Sequence, residues 1–412
     1  MRTLIVSDLH LGSATGVDLL RRPELRAQLF ESLADVDRLV LLGDLLELRH
    51  GPRHEALAAA RPFFEELGKV MESLPARRSP PAREIVAVAG NHDHALIETW
   101  LEHRSELPAP PPLGVEQRIE ASAASSMMAL LAEWLAPARL TVAYPGLWVR
   151  PDVYATHGHY LDCHLTIPTL ERLGIGAMGR LMRRPTRAFI GPDDYEAVTV
   201  PVFAWIDAVA RQAPTGDALN GGMTVRAWRA LGGAPQPTSS PADTNGSVGD
   251  GWAHRNGTRG GIRELSRARS RALARSLRNR ALSGAFPLGV AALNRAGLGP
   301  FNSDLSSGEL RRAGLRAMGE VAARLGVSDA HVVFGHTHRA GPLPGDNLTE
   351  WRGPGGARLI NTGCWTYDAY FLTPTPGESP YWPGSCVLVD DDGPPVLRRL
   401  LESRTHADLA PA

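Results

Sequence analysis

Residues 88–94 read VAGNHDH, so Asn91, His92, Asp93 and His94 follow directly on a short apolar run. Crowding that many polar side chains at the mouth of a buried strand is costly unless they find partners or do chemistry. Four other runs end in the same way. IVSDLHLG presents Asp8 and His10, LVLLGD presents Asp44, VYATHGH presents His157 and His159, and VVFGHTH presents His336 and His338. Read as extended backbone, each i, i+2 pair leaves from one face of its strand and could grip one ion. Sheets of the α/β class gather ligands at the carboxyl ends of their strands. A lone Asp in such a place is usually a turn or cap residue. Five strands ending alike point instead to a metal site.

The donors are carboxylates, an amide oxygen and several imidazoles, with no thiolate among them. A structural zinc needs about four ligands, mostly Cys or His, whereas the donors here suffice for two ions. Mixed nitrogen and oxygen donors suit Mn, Fe or Zn better than Mg or Ca. Two ions about 3.5–4 Å apart, sharing a carboxylate, generate a bridging hydroxide and clamp a phosphoryl group for in-line attack. The leaving oxygen needs a proton, and an imidazole, which titrates near neutrality, can supply it.

The elements that must position these residues follow from the apolar runs. Segments 2–7, 38–43 and 84–90 read as buried strands, with amphipathic stretches at about 24–34 and 54–74 between them. Apolar runs separated by helices argue for an α/β fold with a sheet covered on both faces. A proline-rich connection, LPAPPPLG, leads into an expected helix reaching about residue 136, then into strands in RLTVAYPGLWV and VYATHGH. Strand signals then fade until HVVFGH (331–336), ARLINTG (357–363) and CVLVDDD (386–392). The expected organisation is a core in two parts, 1–164 and 326–412, interrupted by a mostly helical insertion at 165–325. Within that insertion, 232–261 is too poor in apolar residues to offset its ordering entropy and is expected to be a disordered loop. RELSRARSRALARSLRNR (263–280) is basic, and Arg267, Arg271 and Arg275, with His159, are candidate contacts for a charged substrate.

The chain has 412 residues, 43% of them hydrophobic, and a formal net charge of zero, so it can bury a full core but has no global basic field for nucleic acid. Its opening, MRTLIVSDLH, leaves no room for a charged leader before an apolar segment, and no apolar run reaches the roughly 18 residues of a membrane span. The expectation is a cytoplasmic protein. Three separated cysteines, Cys163, Cys364 and Cys386, fit neither a disulfide framework nor a metal knuckle, and are expected to be reduced and buried.

Taken in order, DLH, GDLLE, GNHD, HGH and GHTH resemble the calcineurin-like metallophosphoesterase superfamily. That resemblance implies a four-layer αββα sandwich with a dimetal centre between two sheets, and the insertion, which leaves after the His157 strand and returns before HVVFGHTH, is expected to form a cap over it. Carried over by position, Asp8, His10 and His338 hold one ion, Asn91, His157 and His336 the other, and Asp44 bridges them. His92 contacts the phosphate and assists the leaving oxygen, while Asp93 orients His92. LINTG (359–363) matches the asparagine-containing strand after the last histidine block. The implied cofactors are two divalent ions, Mn foremost with Fe or Zn as alternatives. The implied activity is hydrolysis of a phosphomonoester or phosphodiester, on a phosphorylated small molecule or a lipid or nucleotide substrate. SDLHL, GDLLE and GHTHR also resemble the UDP-2,3-diacylglucosamine pyrophosphohydrolase-type branch. The chain departs from it in GNHD, where that branch has an arginine after the asparagine, and in its longer insertion. A pyrophosphohydrolase of a nucleotide-sugar or lipid-linked substrate is therefore the alternative activity. A non-catalytic scaffold is the alternative of another class, and the full ligand set argues against it.

Overall fold

The computed structural model describes residues 1–49, 51–73, 83–212, 289–304 and 306–411. The basic stretch with Arg267, Arg271 and Arg275, and the loop 232–261, lie outside these residues.

Strands β1 (Thr3–Val6), β2 (Arg38–Leu42), β3 (Glu84–Val88) and β5 (Arg139–Arg150) run parallel, side by side. At the far edge β9 (Ser385–Val389) pairs antiparallel with β1, and β10 (Val396–Arg399) with β9. The long β5 belongs to two groups of strands. Its first residues pair with β3, and its last pair with β6 (Val153–Thr156), which continues in parallel through β7 (His331–Phe334) to β8 (Arg358–Asn361). All the strands thus form one sheet that changes partners along β5.

Alternation along the strands sorts the core into three. Leu4, Val6, Leu39, Leu41, Ile85 and Ala87 pack with helices α1 (Pro23–Glu31), α2 (Arg53–Ser73) and α5 (Ser126–Leu135). Tyr154, Val332, Phe334 and Leu359 pack with α6 (Leu170–Leu181), α7 (Pro192–Gln212) and α8 (Ser307–Arg324). The intervening residues Ile5, Val40, Val88, Leu147, Ala155, Val333 and Ile360 meet in a cluster drawn from both groups of strands. Strands β1, β2, β3, β6, β7 and β8 are therefore apolar on both faces, which is why their runs read as continuous rather than alternating.

The expected helix from the proline-rich connection to residue 136 is corrected. Beyond α3 (Glu98–Glu106), Glu116–Glu120 is a strand, β4, antiparallel to β5. Only then do α4 (Ala121–Ala124) and α5 follow, with the Ser125 side chain capping Met128 N–H. Of EQRIE only Ile119 is buried. An edge strand so polar owes its form to pairing with β5, not to local propensity. The three cysteines are free and buried. Among the described residues no helix is long and apolar enough to cross a membrane.

Leu147 is fully buried in the shared cluster, so Leu147→Ala should destabilise the protein by about 2–5 kcal/mol. Chemical denaturation should show this as one cooperative shift, because both groups of strands lose the same contact. A loss confined to part of the signal would contradict the shared core.

Candidate metal centre

Asp8, His10, Asp44, Asn91, His157, His336 and His338 come together beyond the ends of β1, β2, β3, β6 and β7. Asp44 Oδ2 lies 3.6 Å from His10 Nε2 and 3.4 Å from His157 Nε2. His338 Nε2 is 3.3 Å from Asp8 Oδ1 and 3.2 Å from His10 Nε2. On the other side Asn91 Oδ1 sits 3.1 Å from His157 Nε2 and 3.0 Å from His336 Nδ1. Two groups of possible ligand atoms result, Asp8–His10–His338 and Asp44–His157–His336, with a third formed by His10, Asp44 and His92.

The i, i+2 pairs do not converge as strand neighbours. β1 ends at Val6 and β7 at Phe334, before the candidate ligands begin. Asp8, His10, Asp44, His336 and His338 instead adopt positive φ, from 45° to 67°, a region that non-glycine residues occupy only under constraint. The constraint is hydrogen bonding. Asp8 N–H donates to Gly43 O, His10 N–H to Asp44 O and Leu11 N–H to Leu45 O, so the two loops run alongside one another. His336 N–H donates to the Asp8 carboxylate, tying the last block to the first.

Two glycines make room for this. A Cβ on Gly90 would stand well inside contact distance of Asp44 Oδ1, and one on Gly43 would collide with the His157 ring at Nδ1. Gly43 also has φ of 84°. VAGNHDH thus needs its glycine so that β3 can deliver Asn91 beside the Asp44 carboxylate.

Every imidazole of the group has its outward nitrogen anchored. His157 Nδ1 faces Leu42 O at 3.0 Å, His10 Nδ1 faces Glu47 Oε2 at 3.0 Å, His336 Nε2 faces Asp162 Oδ2 at 3.0 Å, and His338 Nδ1 lies 3.4 Å from Thr366 Oγ1. An outward N–H donated to such an acceptor leaves the inward nitrogen with its lone pair aimed at the centre. Deprotonated, the inward nitrogens are lone-pair donors facing carboxylate and amide oxygens, a set that fits divalent cations.

The electrostatics agree. Burial pushes the Asp44 carboxyl up, but His157 and His92 more than offset it and hold it well below the ordinary value. Burial likewise opposes ionisation of Asp8, and His338 brings it below the ordinary value. Burial pulls the His157 imidazole down, yet Asp44 raises it to about 9. The pocket favours positive charge.

Two expectations are revised. Asp93 does not orient His92: its Oδ1 accepts from Gly90 N–H and its Oδ2 from Leu45 and Leu46 N–H, fixing the loops around Asp44. Glu47 holds His92 instead, at 2.9 Å from Nδ1, and the same carboxylate holds His10. His92 is not poised near neutrality, since burial, against the pull of Glu47 and Asp44, lowers it to about 4. His159, the other candidate contact, is 1% exposed and packs among Tyr144, Tyr160, Phe203 and His94.

Sequence reasoning misses Asp162 as the partner of His336; its signal is a place five residues after His157, in the short turn that brings it under His336. Thr366 carries no such signal. Asn361 supports the last block from behind, donating to Gly335 O and Thr337 Oγ1 at 2.9 Å each.

Residues 1–180 match the family model described as calcineurin-like phosphoesterase, a span that takes in the candidate ligands from Asp8 to His157 but not His336 or His338. No protein of curated function matches the chain.

Gly90→Ala should displace Asp44 and weaken retention of divalent metal by about 10- to 100-fold, the range for changes that misplace a ligand from behind. Metal titration followed by elemental analysis measures it. Wild-type retention would show that β3 has freedom the structure does not give it.

Proposed function

We propose, from the premise that residues 1–180 belong to the calcineurin-like phosphoesterases, that the protein is a dimetal hydrolase of phosphate monoesters or diesters. The observation that carries this is the set of imidazoles whose outward nitrogens are all anchored and whose inward nitrogens face Asp8, Asp44 and Asn91. In this reading Asp8, His10 and His338 hold one ion, Asn91, His157 and His336 the other, and Asp44 lies between. Divalent ions in those places, Mn foremost and Fe or Zn alternatively, would neutralise phosphoryl oxygens and acidify the attacking water.

The chain's own residues do the rest. Glu47, Asp162, Leu42 O and Thr366 fix the imidazole tautomers. Asp93 holds the Asp44 loop from below. His92 offers Nδ1–H to Glu47 and keeps Nε2 for the substrate side. Its imidazole is neutral while the site holds no anion, and a phosphoryl group beside it favours the protonated form, against burial. The proton taken up with the substrate is then the one His92 gives to the leaving oxygen.

The finer architecture belongs to the same proposal. The three core clusters support a four-layer αββα sandwich, with core segments 1–164 and 326–412 and a helical cap at 165–325. A second reading, hydrolysis of a lipid-linked or nucleotide-sugar pyrophosphate, is favoured by Leu181, Ile190 and Trp205, large apolar residues exposed on the first part of that insertion. Acyl-chain phosphates cleaved faster than water-soluble ones would support it.

The test is hydrolysis of p-nitrophenyl phosphate and bis(p-nitrophenyl) phosphate by chelated protein reloaded with Mn²⁺. Metal-dependent turnover is expected, and Asp44→Asn should lose metal from both positions and turnover with it. Two bound metals without turnover on any ester would favour a scaffold. His92→Ala should keep both metals and lose about 10²- to 10⁴-fold on an alkyl phosphate, with a much smaller loss on the p-nitrophenyl ester, whose leaving group needs no proton. Equal losses on both esters would remove His92 from proton transfer.

A further inference from the structure

Around Phe203 of α7, several buried polar atoms have no hydrogen-bond partner among the described residues. Arg49 is 2% exposed, and its Nη2 makes no hydrogen bond. Its guanidinium lies 5.2 Å over the Phe203 ring, and its Nε is 3.2 Å from Asp207 Oδ1 without a well-formed hydrogen bond. His159, whose ring centroid is 5.6 Å from that of Phe203, has neither ring nitrogen partnered. His94 completes the group, 5.7 Å from Phe203 and 6.3 Å from His159 between ring centroids.

Arg49 is also tied to the centre. Its backbone N–H donates to Glu47 Oε1 at 3.0 Å, and Glu47 is the carboxylate that holds His92 and His10. At Glu171 burial and Asp162 push the carboxyl up against the pull of Arg49 and His336.

A guanidinium out of water with an unused N–H face is under-satisfied. Its planar fork matches the oxygens of a phosphate, and a face laid on an aromatic ring is pre-oriented for them.

We propose that Arg49, backed by Phe203 and Asp207, is a substrate-binding residue that takes the anionic oxygens of the phosphoester, favours the doubly charged monoester over the diester, and makes α7 a wall of the substrate pocket. This rests on the dimetal hydrolase reading. Arg49→Gln in the Mn²⁺-loaded protein should weaken binding of inorganic phosphate, measured calorimetrically, and raise KM for p-nitrophenyl phosphate, each about tenfold. The kcat should change less than KM, and KM for bis(p-nitrophenyl) phosphate should rise by a smaller factor. Arg49→Lys, which keeps the charge and loses the fork, should fall between wild type and Arg49→Gln. Should Arg49→Gln fail to fold, the lysine variant decides, and wild-type phosphate affinity in it overturns the proposal. Unchanged phosphate affinity and KM with a lowered melting temperature would assign Arg49 to docking α7 alone. If the wild type hydrolyses no ester but Arg49→Gln still loses phosphate, the hydrolase reading fails and the anion subsite stands.

Discussion

Two carboxylates taken wholly out of water govern this structure. Asp8 and Asp44 are essentially unexposed, and charges buried so deeply must be met by opposite charge or by donors. Around them the chain sets His10, His157 and His338 within 3.3–3.6 Å of carboxylate oxygens. Every other feature of the region serves that arrangement. Glu47 and Asp162 turn the imidazoles, Asp93 pins the loop carrying Asp44, and Gly43 and Gly90 remove the Cβ atoms that would block it.

The arrangement also demands unusual backbone. Left-handed φ at Asp8, His10, Asp44, His336 and His338 costs on the order of 1–3 kcal/mol per residue, a cost met by surrounding hydrogen bonds and by two fully buried faces of sheet. Strands apolar on both sides give a rigid frame from which strained loops can project. Site and core are therefore one problem: the strands end where the polar residues begin because the pleat could not aim those side chains inward.

Much of this is legible in the sequence. The apolar runs of β1, β2, β3 and β7 mark their strands because both faces are buried, and the ligand residues stand out because polar clusters at the ends of buried strands are costly unless they bind something. The way they converge is not legible: the side chains do not share one strand face, and positive φ cannot be read from residue type when the residue is Asp or His. β4 escapes a sequence reading because EQRIE carries one inward residue and takes its form from β5. The partners of the imidazoles are harder still. Asp93 is adjacent to His92 in sequence and yet serves Leu45 and Gly90, whereas Glu47, distant in sequence, serves His92. Such pairings depend on which loops lie side by side, a property of topology. The packing of His159 against Tyr144 and Phe203 carries no local signal either, because it follows from the turn after Gly158, whose φ is 107°.

The central claim is that Asp44 lies between two ions held by separate sets of ligands. X-ray absorption at the metal edge of Mn²⁺-loaded protein tests it most directly, with the metal content of the same sample measured alongside. The account predicts two ions per chain, nitrogen and oxygen donors only, and a metal–metal distance of about 3.5–4 Å. A single ion per chain, or two with no metal–metal scattering at that distance, would contradict it.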